Sequence, residues 1–300
     1  MPKTVKPVIY DYHSLETVTD ALCRRYKGVI TKQSIGKSIS GRNISMLKIG
    51  SAKETVLYSA AIHGNEGITA TILLKFIEDI CESISKRQEL SGIDIKNMLK
   101  SRSYIFVPLS NPDGCEIALK GESAEVENID RIKSLCSGNF SIWKANSNGV
   151  DLNRNFNADW EAARKISARN GISSPAPAKY GGPFPESEPE TVALTTLCRI
   201  SSPQYVICLH TQGEAIFYGG SRYNDSYRKM AEILSLLSGY ALEEPENISK
   251  GAGFKDWFVK QFDRPGFTIE CGRGENPLPA DMIQPIYTRL FETLAVSAVL

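Results

Sequence analysis

Apolar positions along the chain follow two alternating rhythms. The short runs "ISMLKIG", "TVLYSAAI", "SYIFVPL", "QYVICLH" and "GFTIEC" are rich in β-branched and aromatic residues and read as buried strands. Between them, apolar residues recur every three or four positions and predict helices over Ser14–Tyr26, Gly67–Ser85, Glu188–Ile200, Tyr227–Gly239 and Pro279–Val299. This alternation predicts an α/β fold with one sheet, mostly parallel and covered by helices on both faces. No internal repeat or low-complexity linker divides the chain, so residues 1–300 are expected to form a single domain. Ligands of such sheets bind outside the carboxyl ends of strands. His63 follows one predicted strand, His210 ends another and Glu270 ends a third.

Several polar stretches have ordinary explanations. In "SEPE", Ser187 and Glu190 have the spacing of a capping box, with Ser187 as N-cap and Glu190 reaching back to its amide. Acidic residues interleave Lys86, Arg87, Lys96, Lys100 and Arg102, which predicts a solvated surface. "NPDG" at 111–114 has turn chemistry. His13, in a polar segment with no other ligand type spaced near it, is expected at the surface.

Composition narrows the picture mainly by exclusion. With 42% hydrophobic and 23% charged residues, the chain resembles an ordinary globular protein. Its 35 basic and 34 acidic residues nearly cancel, which argues against a nucleic-acid partner and leaves charged substrates to a local cluster. The seven cysteines are scattered without CxxC spacing, so neither a cysteine zinc site nor a thioredoxin motif is expected. The opening "MPKTVKPVIYDYH" lacks the apolar core of a signal peptide, and no run approaches a membrane span. The expectation is a cytoplasmic, reduced protein with no membrane association.

His63 and Glu66 form H-x-x-E at the end of a strand, a pair able to chelate a metal if the backbone bends between them. Imidazole nitrogen and carboxylate oxygen suit zinc, and His210 is the credible third ligand among the three histidines. "HGNEG", "NPDG", "GVDLNRNF", a strand-terminal "LH" and "TIE" then occur in an order that resembles the zinc carboxypeptidases of the carboxypeptidase A superfamily. The resemblance runs from "SIGKSISGRNISMLKIG" to the final helix. It implies a single-domain α/β/α sandwich with a mixed eight-stranded sheet, and one zinc per chain bound by His63, Glu66 and His210. It also implies a metallopeptidase in which water activated by the metal attacks a peptide carbonyl, with Glu270 as general base. Glu270, set between Ile269 and Cys271 in an apolar run, would cost desolvation without a task or a partner. Asn153 and Arg154 match the pair that grips a substrate carboxylate, and Asp151 matches the acid that orients His63 through its far nitrogen.

The sequence departs from the digestive members at two places. Lys144 follows Trp143 where they carry an arginine beside the reacting carbonyl; lysine can stabilise an oxyanion there as a point charge. The tyrosine they fold over substrate has no match in "ENISKGAGFKDW", where Gly251 and Gly253 predict a flexible segment instead. "WKAN", "GVDLNRNF", "HTQGE" and "TIECGRGENPLP" resemble the bacterial γ-D-glutamyl-meso-diaminopimelate peptidases. That branch cuts peptidoglycan stem peptides, which implies a muropeptide substrate, with Glu214, Lys255 and Arg273 as candidates for the distal charges of diaminopimelate. A carboxypeptidase for ordinary C-termini and a deacylase of small N-acylated amino acids share the zinc site but differ in the pocket. A catalytically dead binding module conflicts with the complete set His63, Glu66, His210 and Glu270.

Overall fold

The computed structural model describes residues 2–219, 225–243 and 251–300. Eight strands form one sheet: β1 (Ile30–Lys37), β2 (Asn43–Ile49), β3 (Glu54–Ala60), β4 (Arg102–Val107), β5 (Tyr205–His210), β6 (Ala215–Tyr218), β7 (Ala241–Glu243) and β8 (Gly266–Glu270). Their spatial order is β1-β2-β4-β3-β5-β8-β6-β7. The inner pairs β4–β3, β3–β5 and β5–β8 are parallel, as is the outlying β6–β7 pair, whereas β1–β2, β2–β4 and β6–β8 are antiparallel. The sheet is therefore mixed, with its parallel strands at the centre.

Both faces of the central strands are covered, and this is why they read as near-continuous apolar runs. Tyr58, Tyr205, Ile207, Leu209, Phe267 and Ile269 pack into one core with Phe76 of α2 (Ile68–Lys86) and Leu290 and Leu294 of α10 (Ile283–Ser297). The alternate residues Leu57, Val206 and Cys208 face a second core with Leu194 and Leu197 of α7 (Pro189–Ser201) and Trp257 and Phe258 of α9 (Phe254–Phe262). Successive residues thus take opposite faces, as strand geometry requires. All seven cysteines are free; Cys23 is half-buried and the others are buried. Among the described residues no helix is long and apolar enough to cross a membrane.

Register then brings three strand ends together. Ala60 lies opposite Leu209, and His210 lies opposite Glu270. The chain leaving β3 turns through a 3-10 helix at Gly64–Glu66 before α2 begins. His63, His210 and Glu270 consequently meet at the carboxyl ends of the central strands, where open α/β folds bind ligands.

Two local expectations are corrected. Ser187 and Glu190 do not form a capping box: Pro189 occupies the first turn of α7, the N-cap is Glu188, and no side chain caps it. Proline suits that position because it has no N–H to satisfy. Glu190 is instead buried and accepts hydrogen bonds from Ile39 N and Asn146 Nδ2. Gly251 and Gly253 are also not loose. Both are buried and donate to Asp256 Oδ2, at 3.2 and 3.4 Å, which ties them to the start of α9. Residues 246–250 of the stretch searched for a substrate-covering tyrosine lie outside the described residues.

"NPDG" is more than a turn. Asn111 caps α4 (Pro112–Lys120) by accepting from Gly114 N at 2.9 Å, with Pro112 in the first turn. His13 and the basic residues Lys86, Arg87, Lys96 and Lys100 are exposed as expected. Arg102 departs from that surface and donates to Tyr205 Oη and to the carbonyls of Ala298 and Leu300.

Candidate active site

The turn after β3 is held by backbone contacts on its outer side. Gly64 N donates to Lys144 O at 3.0 Å, and Asn111 Nδ2 donates to Ile62 O and Ala145 O, each at 3.1 Å. This anchorage turns His63 and Glu66 inward. His63 Nδ1 lies 2.8 Å from Glu66 Oε1, and His210 Nδ1 lies 3.1 Å from Glu66 Oε2 and 3.3 Å from His63 Nδ1. The ligand atoms of the three buried residues all fall within 4.8 Å of one another. Two imidazole nitrogens and one carboxylate, gathered at that separation, fit zinc in donor type and number.

Asp151 supports this cluster from outside. Its Oδ1 stands 3.4 Å from His63 Nε2, and its two oxygens accept from the amides of Asn153 and Lys179. Burial alone would raise the Asp151 carboxyl, but His63, the Arg154 charge and the Lys179 amide hold it well below the usual range. The carboxylate stands beside the far nitrogen of His63, which has no hydrogen-bond partner of its own, while Nδ1 faces the cluster.

The cluster opens into a cavity of about 310 Å³. Glu270 lines it, and burial, reinforced by the Glu66 carboxylate, raises the proton affinity of its carboxyl above the ordinary range. Lys144 lines it too, with Nζ 2.9 Å from Glu66 Oε1. Burial opposes the charge on Lys144, but the Glu66 carboxylate outweighs it and keeps the ammonium protonated. Arg154 reaches the same cavity; its Nη1 donates to Asn153 O at 2.9 Å, while its buried Nε has no partner. Asn153 accepts from Phe254 N through Oδ1 at 3.0 Å, which leaves its Nδ2 group as the donor it can offer. Gly253 permits this approach, because a Cβ there would stand 2.8 Å from Asn153 Oδ1.

The sequence-derived candidates therefore divide. His63, Glu66, Lys144, Asn153, Arg154, Lys255 and Glu270 line one cavity. Lys255 is buried, donating to Asp256 Oδ1 at 2.6 Å and to Gly219 O at 2.7 Å. Glu214 and Arg273 do not line the cavity. They pair with each other at 2.8 Å, with Arg273 largely in solvent, because they sit on connections just beyond β5 and β8. Sequence reasoning passed over Thr211, Gln212, Phe217, Asp256, Thr268 and Asn276, all of which line the cavity. The signals available were the position of Thr211 and Gln212 directly after His210 and the place of Thr268 and Asn276 within "TIECGRGENPLP".

Comparison with known proteins now bears on this geometry. The family profile described as zinc carboxypeptidase matches residues 15–293. The γ-D-glutamyl-L-diamino acid endopeptidase 1 of Lysinibacillus sphaericus is 34% identical over 281 residues, covering 93% of this chain and 69% of that protein. Carboxypeptidase B2 of Homo sapiens is 27% identical over 324 residues, covering 98% of this chain and 71% of that protein. The crystal structure of thrombin activatable fibrinolysis inhibitor shares the fold, with a TM-score of 0.78 at 20% identity over 99% of this chain and 77% of that one. A match running from α1 (Tyr12–Arg25) into α10 leaves no part of the sheet outside it, and the chain belongs to the zinc carboxypeptidase family of peptide hydrolases.

Proposed function

We propose that this metallopeptidase hydrolyses the bond between γ-D-glutamate and meso-diaminopimelate in peptidoglycan stem peptides, with one zinc held by His63, Glu66 and His210. The observation that carries the reading is the charge of the cavity lining. Lys144, Arg154, Lys255, Asp256 and Glu270 all border it, and Phe217 is its aromatic side chain. Lys255 and Asp256 already pair with each other, so an apolar C-terminal residue would desolvate their remaining polar surface without adding a hydrogen bond. A diaminopimelate side chain ends in both a carboxylate and an ammonium, and can pair with both. The Lysinibacillus sphaericus relative, a γ-D-glutamyl-L-diamino acid endopeptidase by name, supports the same substrate class.

Five residues in or beside the cavity have a task in this reaction. Arg154, whose planar fork suits bidentate recognition, binds the α-carboxylate of diaminopimelate, and the Asn153 amide adds a neutral donor. Glu270 takes the proton from the attacking water and returns it to the leaving amine; its heightened proton affinity suits both transfers near neutral pH. Lys144 faces the reacting carbonyl as an oxyanion donor. Asp151 holds the His63 ring. Bound in the cluster, zinc supplies Lewis acidity and makes water nucleophilic at neutral pH.

The test is kcat/KM for L-Ala-γ-D-Glu-meso-diaminopimelate against a blocked Gly-Phe dipeptide, using zinc-loaded protein. The tripeptide should be preferred about 10⁴-fold, the discrimination expected when buried polar groups lose their partners. A preference for the dipeptide overturns the stem-peptide reading and favours a carboxypeptidase for ordinary C-termini.

A further inference from the structure

Asn276 has no part in the reaction described above, yet its side chain lines the cavity beside the ligand cluster. Its Oδ1 accepts from Thr211 Oγ1 at 2.7 Å and its Nδ2 donates to Thr211 O at 2.9 Å. The amide is thus clamped at both ends to the residue that follows His210. One Nδ2 hydrogen remains. It is directed at Glu66 Oε1 across 3.5 Å, the outer limit of a hydrogen bond, and is available to a better acceptor.

Lys144 Nζ approaches that same Glu66 oxygen at 2.9 Å. A fixed amide donor and an ammonium therefore stand side by side in the cavity wall, both turned towards Glu66 Oε1. Such a pair is suited to a carboxylate, since one partner supplies charge and the other direction. Arg154 and Asn153 are already assigned to the carboxylate of the leaving residue. A γ-linked D-glutamyl residue brings a second carboxylate, its own α-carboxylate, on the acyl side of the scissile bond. Only the glutamate's α-carbon and methylenes separate it from the reacting carbonyl. An ordinary α-peptide carries no carboxylate at that place.

We propose that Asn276, together with Lys144, binds the α-carboxylate of the D-glutamyl residue, so that this wall of the cavity recognises the γ-linkage itself. The proposal rests on the stem-peptide reading and adds to it the residue that reads the acyl side.

The experiment compares L-Ala-γ-D-Glu-meso-diaminopimelate with its analogue carrying γ-aminobutyrate in place of D-glutamate. The analogue keeps the acyl chain and the scissile amide and lacks only the α-carboxylate. The zinc-loaded full chain should bind the natural peptide more tightly, and Asn276→Ala should raise its KM about 10–100-fold, as loss of a hydrogen bond to a charged group does. The ratio of the two KM values should then collapse towards unity. Asn276→Asp keeps an acceptor for Thr211 and places a negative charge against the carboxylate, so it should invert the ratio. Zinc content and thermal melting of each variant confirm an intact site. Equal losses on both peptides, or no change in the ratio with either variant, overturn the proposal while leaving the stem-peptide reading standing. Failure of the unaltered enzyme to cleave either γ-linked peptide overturns both.

Discussion

His63 turns one ring nitrogen towards Glu66 and His210 and the other towards the Asp151 carboxylate, so its two sides have different tasks. Removing a ligand should therefore differ sharply from removing the base. His210→Ala should abolish zinc retention, whereas Glu270→Ala should keep zinc and lose turnover; metal analysis of the purified variants separates the two. Full occupancy in His210→Ala would refute the ligand assignment. Asp151→Asn, which weakens the hold on His63 without touching the cluster, should lower metal affinity or activity about 10–100-fold. The cations in the cavity should also divide. Assayed on the γ-aminobutyrate analogue, which has no glutamyl α-carboxylate for Lys144 to bind, Lys144→Ala should lower kcat by about 10²–10³, as loss of an oxyanion donor does. Arg154→Ala should chiefly raise KM, because the carboxylate it grips is present before and during reaction. If steady-state kinetics show the reverse, the two roles exchange.

At the scale of elements, the metal site depends on three segments with almost no space between them. A Cβ on Gly64 would stand 2.4 Å from Gly114 O and 2.7 Å from Trp143 O, and one on Gly114 would stand 2.3 Å from Ala145 O. These are backbone atoms and cannot swing aside. The glycines of "HGNEG" and "NPDG" let the turn after β3, the start of α4 and the Lys144 segment lock together. Gly64→Ala should cost stability by about 1–3 kcal/mol, the range for overpacking, and should weaken zinc binding by displacing His63 and Glu66. Gly67→Ala is the control, since its Cβ would meet only Ile9 Cγ2 at 3.4 Å and its φ is −55°. Denaturant melts and zinc titrations of the pair check this, and equal behaviour of the two variants would remove the packing argument.

Across the whole molecule, a second polar cluster lies away from the cavity, where the β1–β2 turn meets α7. Asp113 receives Ser38, Ser40, Arg42 and Ser147, while Glu190 and Glu188 share Asn146. Burial, aided by the Asp113 carboxylate, pushes Glu190 up to about 7. The folded protein then binds this proton more tightly than the unfolded chain does. Its contribution favours folding at low pH and is lost as pH rises from the ordinary carboxyl range through about 7. Replacing the titrating group removes that loss. From pH 5 to pH 8, the stability of Glu190→Gln relative to the unaltered chain should rise by on the order of 3 kcal/mol. Urea denaturation at both pH values, with zinc removed from both proteins, measures it. A pH-independent difference would mean that Glu190 stays ionised throughout.

How much of this was legible in the sequence follows the range of each interaction. The central strands and α2, α7, α8 (Asp225–Ser238) and α10 announced themselves because burial on two faces or one stripe imposes a local pattern. β1, β6 and β7 did not: β1 is half-exposed at the sheet edge, β7 has three residues, and neither needs an apolar run. The metal ligands, Glu270 and Arg154 were readable as motifs because their chemistry demands particular residue types beside particular turns. Glu214 and Arg273 had suitable charges but sit on connections that pair with each other, a fact of tertiary placement alone. Ser187 and Glu190 had capping spacing, yet Pro189 and the pull of Ile39 and Asn146 took Glu190 inward. Asn276 lies within the stretch "TIECGRGENPLP" and Asp256 within "ENISKGAGFKDW", but neither stretch shows that these side chains reach the cavity. The sequence determined the alternation of strands and helices, the donor types gathered at the candidate metal site and the place of Glu270 at a strand end. Only the folded structure decided which distant polar groups share the cavity, because strand register and close backbone packing between segments far apart in sequence set their positions.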